Sequence, residues 1–260
     1  MARGWSERTH ELLDLLFWGA DAPSLAATLP GRGTGQQPAS YSRWATRLEQ
    51  KQLLQRERRA GRIVWRLTEL GRIVSVGGRH PERQWQRPWD GQWRILVFDL
   101  PAHQKAIRAR LLRWLRQNGF GYLQDSVWIH PDPLVELADA LGDFRDDVES
   151  CTLLEARCCV GYSNAALVKG AWRFDEINKG YEVCLSQAEV LLRRLPPPRD
   201  LEVVRRRLRE QRRAWQRAVQ FDPLLPQALL PPDYLGQRAW QIHRRLMRRL
   251  VGVLMESFSL

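Results

Sequence analysis

The sequence predicts an α+β protein in three parts: an N-terminal winged helix-turn-helix, a central ferredoxin-like βαββαβ unit and a helical C-terminal domain. Three observations carry that reading. The apolar run Ile95–Phe98 is followed by Ile107, Leu111, Leu112 and Leu115 at helical spacing, and then by two short strand-like runs. Upstream, three helical stretches precede a hairpin with a basic, glycine-ended tip. Downstream, residues 163–260 keep helical periodicity, interrupted by proline-rich loops. The expected boundaries are 1–76, a linker at 77–92, 93–162 and 163–260.

Taking the elements in order, residues 6–19 read as a helix capped by Ser6, with Leu12, Leu13, Leu16 and Phe17 as its apolar stripe. Ser24–Leu29 reads as a short second helix. The Gly-rich loop 30–38 lacks the Lys-Ser/Thr ending of a phosphate-cradling loop and follows a helix rather than a strand, which argues against a nucleotide site. A third helix spans about Ala39–Gln52, with Tyr41, Trp44, Ala45 and Leu48 on one side. Leu53–Glu57 and Arg62–Leu67 then form strands joined by Arg58–Gly61, and Thr68 caps a helix carrying Leu70, Ile73 and Val74.

If the third helix enters a major groove, Ser40, Ser42, Arg43, Thr46, Arg47 and Gln50 remain to face DNA, since arginine can read guanine bidentately and Ser or Gln can reach base edges. Arg58, Arg59 and Arg62 on the hairpin would neutralise phosphates and set register. A solvated basic helix and hairpin is the competing reading of the same residues.

Residues 77–92 are Gly/Pro-rich and polar, and Trp85, Trp89 and Trp93 lie four apart, suited to packing across a domain junction. In the central unit, Asn118 and Gly119 end the helix, and Phe120–Leu123 and Ser126–Ile129 form a hairpin around Gln124 and Asp125. Leu134–Phe144 is an expected helix and Cys151–Val160 the last strand. Long helices are expected at Asp175–Leu195, Asp200–Val219 and about Gln237–Met255.

Composition narrows the class of partner. The chain of 260 residues has a formal charge of +12, which suits a polyanionic partner or an anionic membrane surface. The excess of Lys+Arg over Asp+Glu is +6 over residues 1–90, −2 over 91–165 and +8 over 166–260, so the central unit is not the obvious phosphate-binding surface. The four cysteines, Cys151, Cys158, Cys159 and Cys184, show no paired zinc-ligand spacing and read as reduced thiols. No apolar run reaches the length of a membrane span, and residues 12–18 lack the marks of a signal peptide, so a cytoplasmic protein without membrane contact is expected.

No cofactor motif is discernible, and the five histidines form no Ser/His/Asp or Cys/His set, so no catalytic residue is assigned and a non-enzyme is expected. Arg205–Arg213 is the densest basic run. On a helix, Leu201, Val204, Leu208 and Trp215 would turn inward and leave the arginines for solvent, another subunit or DNA.

Phe98-Asp99-Leu100-Pro101, Gly119-Phe120 and Leu123-Gln124-Asp125-Ser126-Val127-Trp128-Ile129 together resemble the middle domain of PaaX-type transcriptional repressors. The same pattern is similar to the small ferredoxin-like nuclease subunit of CRISPR spacer-integration complexes. The PaaX resemblance continues through Leu167-Val168, Trp172, Ile177-Asn178 and Tyr181, then Asp222–Pro226 and Leu229-Leu230-Pro231. Asp233-Tyr234-Leu235-Gly236 stands where that family tends to have Asp-Trp-Pro-Gly.

The resemblance implies a repressor that binds operator DNA as a homodimer through its winged helix. It further implies a dimerising middle domain and release by a small-molecule effector, an acyl- or aryl-CoA thioester, with Trp172, Asn178 and Tyr181 as candidate lining residues. The nuclease relative instead implies a metal-binding aspartate at Asp99, which one chain could use only alongside a partner's carboxylate. The competing role of Asp99 is to shape the turn before Pro101. A non-specific DNA-binding scaffold subunit is the third alternative.

Overall fold

The computed structural model describes residues 6–19, 39–59, 62–99, 105–133, 150–157, 161–197 and 199–256, and shows a mixed α+β protein. In chain order the elements are α1 (Glu7–Trp18), α2 (Ala39–Gln50), β1 (Leu54–Arg59), β2 (Arg62–Leu67), α3 (Glu69–Ser75), α4 (Pro81–Gln86), β3 (Trp93–Asp99) and α5 (Lys105–Gln117). There follow β4 (Gly121–Gln124), β5 (Val127–His130), β6 (Ser150–Ala156), α6 (Asn164–Ala171), α7 (Phe174–Arg193), α8 (Leu201–Val219), a 3-10 turn at Gln227–Leu229 and α9 (Gly236–Glu256). Two compact units result, both discontinuous in sequence. The first comprises Met1–His80, Glu182–Gln216 and Arg238–Leu260, and the second Pro81–Tyr181 and Arg217–Gln237.

In the first unit the helix starts are set by side-chain caps. The Ser6 hydroxyl accepts from the Thr9 amide at 3.3 Å, and the Thr68 hydroxyl accepts from the Gly71 amide at 3.0 Å, each satisfying a donor with no partner inside its helix. Thr68 also donates to the Gln52 carbonyl at 2.6 Å, tying the start of α3 to the end of α2. Between them β1 and β2 pair antiparallel, from Leu54 opposite Leu67 to Arg59 opposite Arg62. Leu12, Leu13, Leu16, Ala45, Leu48, Leu53, Leu54 and Leu67 close one core beneath these elements. The expected helix Ser24–Leu29 and the Gly-rich loop lie outside the described residues.

The second unit holds a four-stranded sheet in the order β4-β5-β3-β6, every pairing antiparallel. Strand β3 is central and its inward residues Leu96 and Phe98 pack with Leu111 and Leu115 of α5, Phe120 and Trp128. Gly119, with φ of +83°, ends α5 in the left-handed conformation that lets the chain reverse into β4. A Cβ on Gly121 would stand 2.7 Å from both the Ala171 Cβ and the Trp172 ring, so only glycine admits α6 this close to β4. The β4–β5 turn passes through Asp125 at φ of +39°. The helix expected at Leu134–Phe144 lies outside the described residues.

The stretch 77–92 carries α4, and its tryptophans pack within the second unit. Trp85 meets Tyr234 at 6.0 Å between ring centroids, Trp89 meets Trp93 at 5.3 Å, and Trp93 meets Trp172 at 6.1 Å.

Candidate nucleic-acid interface

The amphipathic pattern of α2 fixes which of its residues face outward. Ala45 and Leu48 are 2% exposed each, so Thr46, Arg47 and Gln50, which alternate with them around the helix, are exposed. The Arg47 guanidinium lies 5.3 Å from the Trp44 ring centroid, a cation–π contact that restrains the side chain while leaving its donors available. Ser40, Ser42 and Arg43 belong to α2, but their side chains lie outside the described residues. On the hairpin Arg58 is exposed and makes no ion pair among the described residues, while Arg59 and Arg62 face each other in register at the strand ends.

Not every arginine here is available. Arg56 pairs with Glu49 at 3.3 Å and lies 5.5 Å from the Trp65 ring centroid, and Arg66 pairs with Glu57 at 3.1 Å. These exposed pairs contribute little to stability but lower the hairpin's free positive charge. Arg47 of α2 and Arg58 of the hairpin therefore stand out as cations not engaged by a carboxylate among the described residues.

The densest basic run has another destination. Arg212 on α8 is 4% exposed and donates to Asp14, itself 1% exposed, and to Glu7 at 2.9 Å; Arg213 also donates to Glu7, and Arg205 donates to Glu11 at 3.0 Å. Three carboxylates of α1 are thus met by three guanidiniums of α8. Burial pushes the Asp14 carboxyl up to about 6, against the opposing pull of Arg212. Burial acts to raise Glu7 too, but the Arg213 hydrogen bond and the charges of Arg212 and Arg213 hold it below the usual carboxylate range. This clamp has no local sequence signature, because its partners are about two hundred residues apart. Val204, Leu208 and Trp215 turn inward as their spacing implies.

Trp172, Asn178 and Tyr181 are buried in the second unit and their polar atoms have partners within it. Trp172 Nε1 donates to the Gly119 carbonyl at 3.1 Å, and Asn178 bridges the Asp233 carbonyl and the Leu235 amide at 3.1 and 3.0 Å. The Tyr181 hydroxyl donates to the Asp222 carboxylate, which also accepts from Tyr234 at 2.5 Å and from the Leu224 amide at 2.8 Å. Burial, reinforced by the Asp222 charge, raises both phenols well above the ordinary tyrosine value. The bonds of Asn178, Tyr181 and Asp222 hold the loop 222–235, which joins α8 to α9.

Asp99 ends β3, is exposed, and lies opposite Ser150 of β6. Among the described residues no group of three or more His, Cys, Asp or Glu converges as a metal site. No helix among them is long and apolar enough to cross a membrane. Charge is divided sharply between the units: the first carries 27 Lys+Arg against 13 Asp+Glu, a net +14, whereas the second carries 14 against 16, a net −2.

Comparison with known proteins agrees along most of the chain. Residues 86–168 match the PaaX protein central Cas2-like domain, and residues 172–255 match the PaaX-like protein C-terminal domain. The chain is 28% identical over 244 residues to the transcriptional repressor PaaX of Escherichia coli (strain K12), an alignment covering 91% of this chain and 76% of that protein. Among solved structures it is similar to the uncharacterized protein Rv0674 from Mycobacterium tuberculosis, with a TM-score of 0.53, 20% identity, and coverage of 98% of this chain and 100% of the other. Two adjoining domain matches in family order, with a relative aligned across nearly the whole chain, lead to one conclusion: the chain belongs to the PaaX-type family of transcriptional repressors.

Proposed function

We propose that this chain is a DNA-binding transcriptional repressor whose first unit grips operator DNA. The observation that carries the reading is the +14 charge of that unit, set beside the outward face of α2 and the basic hairpin. The order α1, α2, β1–β2 hairpin, α3 supports a winged helix-turn-helix. On that reading Thr46, Arg47 and Gln50, with Ser40, Ser42 and Arg43 on the same helix, approach base edges, while Arg58, Arg59 and Arg62 contact phosphates. The all-antiparallel order β4-β5-β3-β6 supports a ferredoxin-like central domain, which we assign to homodimerisation. Two copies would place two α2 helices on successive major grooves of a pseudo-palindrome.

Release requires an effector that binds one arrangement of the dimer better than the other. We assign the acyl- or aryl-CoA thioester class to that role. Because Asn178 and Tyr181 hold the loop 222–235, a ligand acting there would shift the loop that leads into α9.

Footprinting of the full-length protein on the DNA upstream of its own gene, with genomic competitor and with and without magnesium, tests the reading. A protected pseudo-palindrome that survives competitor without metal is expected. Diffuse protection would favour a scaffold subunit, and magnesium-dependent strand breaks lost in Asp99→Ala would move the function to a nuclease.

A further inference from the structure

Two arginine-rich helices belong to the first unit, and they differ in where their carboxylates lie. On α8, Arg205, Arg212 and Arg213 are met by Glu7, Glu11 and Asp14 of α1, and Arg207 by Glu210 of its own helix. Helix α9 is built differently. Over Gly236–Glu256 it carries Arg238, Arg244, Arg245, Arg248 and Arg249, and its one acidic residue is the last, Glu256. Intrahelical ion pairs at three- or four-residue spacing are therefore unavailable to these arginines. Arg238, Arg245, Arg248 and Arg249 are exposed and fall along one side of the helix. Arg238 pairs with Glu189 at 2.9 Å; Arg245 and Arg249, one turn apart, make no ion pair among the described residues.

The opposite face of α9 holds this stripe in place. Ala239, Trp240, His243, Leu246, Met247, Leu250, Val251 and Leu254 are all buried, so the helix cannot rotate its cations away. Like charges one turn apart destabilise a helix, and nothing within α9 offsets that repulsion. An external polyanion would. The stripe from Arg238 to Arg249 runs about 16 Å along the axis at the ~1.5 Å rise of an α-helix, long enough to follow several phosphates of a duplex.

We propose that the α9 arginine stripe is a second DNA-contacting face, one that binds the phosphodiester backbone without reading sequence. The inference rests on the DNA-binding reading of the first unit and extends it to a surface outside the winged helix. Arg245 and Arg249 carry the contact, whereas Arg205, Arg212 and Arg213 of α8 are committed to carboxylates of α1.

The test is fluorescence-anisotropy titration of the full-length protein with a labelled 40-base-pair duplex of mixed sequence, across a range of salt concentrations. Relative to the unaltered protein, Arg245→Gln with Arg249→Gln should weaken binding about tenfold to a hundredfold at 0.1 M salt and lower the log–log salt slope by about 1.8. Arg108→Gln with Arg113→Gln, two exposed arginines of the second unit, should leave the slope unchanged. Equal thermal melting of all three proteins excludes a folding defect, since every altered side chain is exposed. A slope unchanged in the α9 variant, or lowered equally in both variants, overturns the proposal. If the unaltered protein fails to bind any duplex, the DNA-binding reading falls first.

Discussion

Each unit buries an aspartate, and the two solutions differ. Asp14 in the first unit and Asp222 in the second are both 1% exposed. Asp14 faces the guanidinium of Arg212, whereas Asp222 faces two phenols and a backbone amide. A buried ion pair bears the desolvation of two charges and returns little net stability, but breaking it strands a charge. Neutral donors around one carboxylate satisfy it while desolvating a single charge. The first unit thus joins α1 to α8 by charge, and the second pins its loop by hydrogen bonds. The lesson is that an arginine's role follows from which carboxylates its fold brings within reach: Arg212 is structural, while Arg47 and Arg58 remain available to a partner.

Breaking the comparison at Arg212 should have the largest effect. Arg212→Met leaves Asp14 buried without its cation and should cost about 3–5 kcal/mol in urea unfolding, while adding Asp14→Leu should recover most of that loss. A single variant that unfolds like the unaltered protein would show that the pair does not hold α1 to α8. In the second unit Tyr181→Phe removes one donor to Asp222 and should cost about 1.5–3 kcal/mol, since the acceptor is a carboxylate. The phenols of Tyr181 and Tyr234 are raised above 10.0, so the stability they contribute is present below that pH and lost as pH rises beyond it. A melt series from pH 8 to 11 should show this alkaline loss diminished in the variant.

The smallest effect sharpens the contrast through acid. Burial drives His243 down to about 3 from 6.5, so its contribution is present above pH 6.5 and lost as pH falls, by up to about 1.4 kcal/mol per unit. Asp14 is raised from 3.8 to about 6, so it acts in the other direction, losing stability as pH rises from about 4 to 6. The two slopes oppose each other over that window. Asp14→Asn should therefore make acid destabilisation steeper between pH 6 and 4, and a shallower loss would contradict the assignment.

Elements with a strong local signal were legible in the sequence. Ser6 and Thr68 cap helices as their side chains imply, and β3, α5, the β4–β5 hairpin and the three long C-terminal helices fall within a few residues of their expected places. The inward and outward faces of α2 follow from spacing alone, as Ala45 and Leu48 show. What sequence could not supply were long-range partners. Arg205–Arg213 reads as a free basic face until α1 is folded against it, and nothing near Asp14 announces a guanidinium 198 residues away. Trp172, Asn178 and Tyr181 were visible as an aromatic-polar cluster, but only the fold shows that their polar atoms hold Gly119, Asp222, Asp233 and Leu235. Short α4 was masked by the polar composition around Pro81.

In the proposed function the exposed face of α2 reads base sequence while other cations hold the backbone. The most direct test compares the unaltered protein with Arg47→Ala for affinity to the footprinted site and to a mixed-sequence duplex at one salt concentration. A specific affinity lower by about 1–3 kcal/mol and a reduced ratio of specific to non-specific binding are expected, with thermal stability unchanged. A ratio that stays constant, with both affinities falling together, would make Arg47 a phosphate contact and contradict the assignment of α2 as the reading helix.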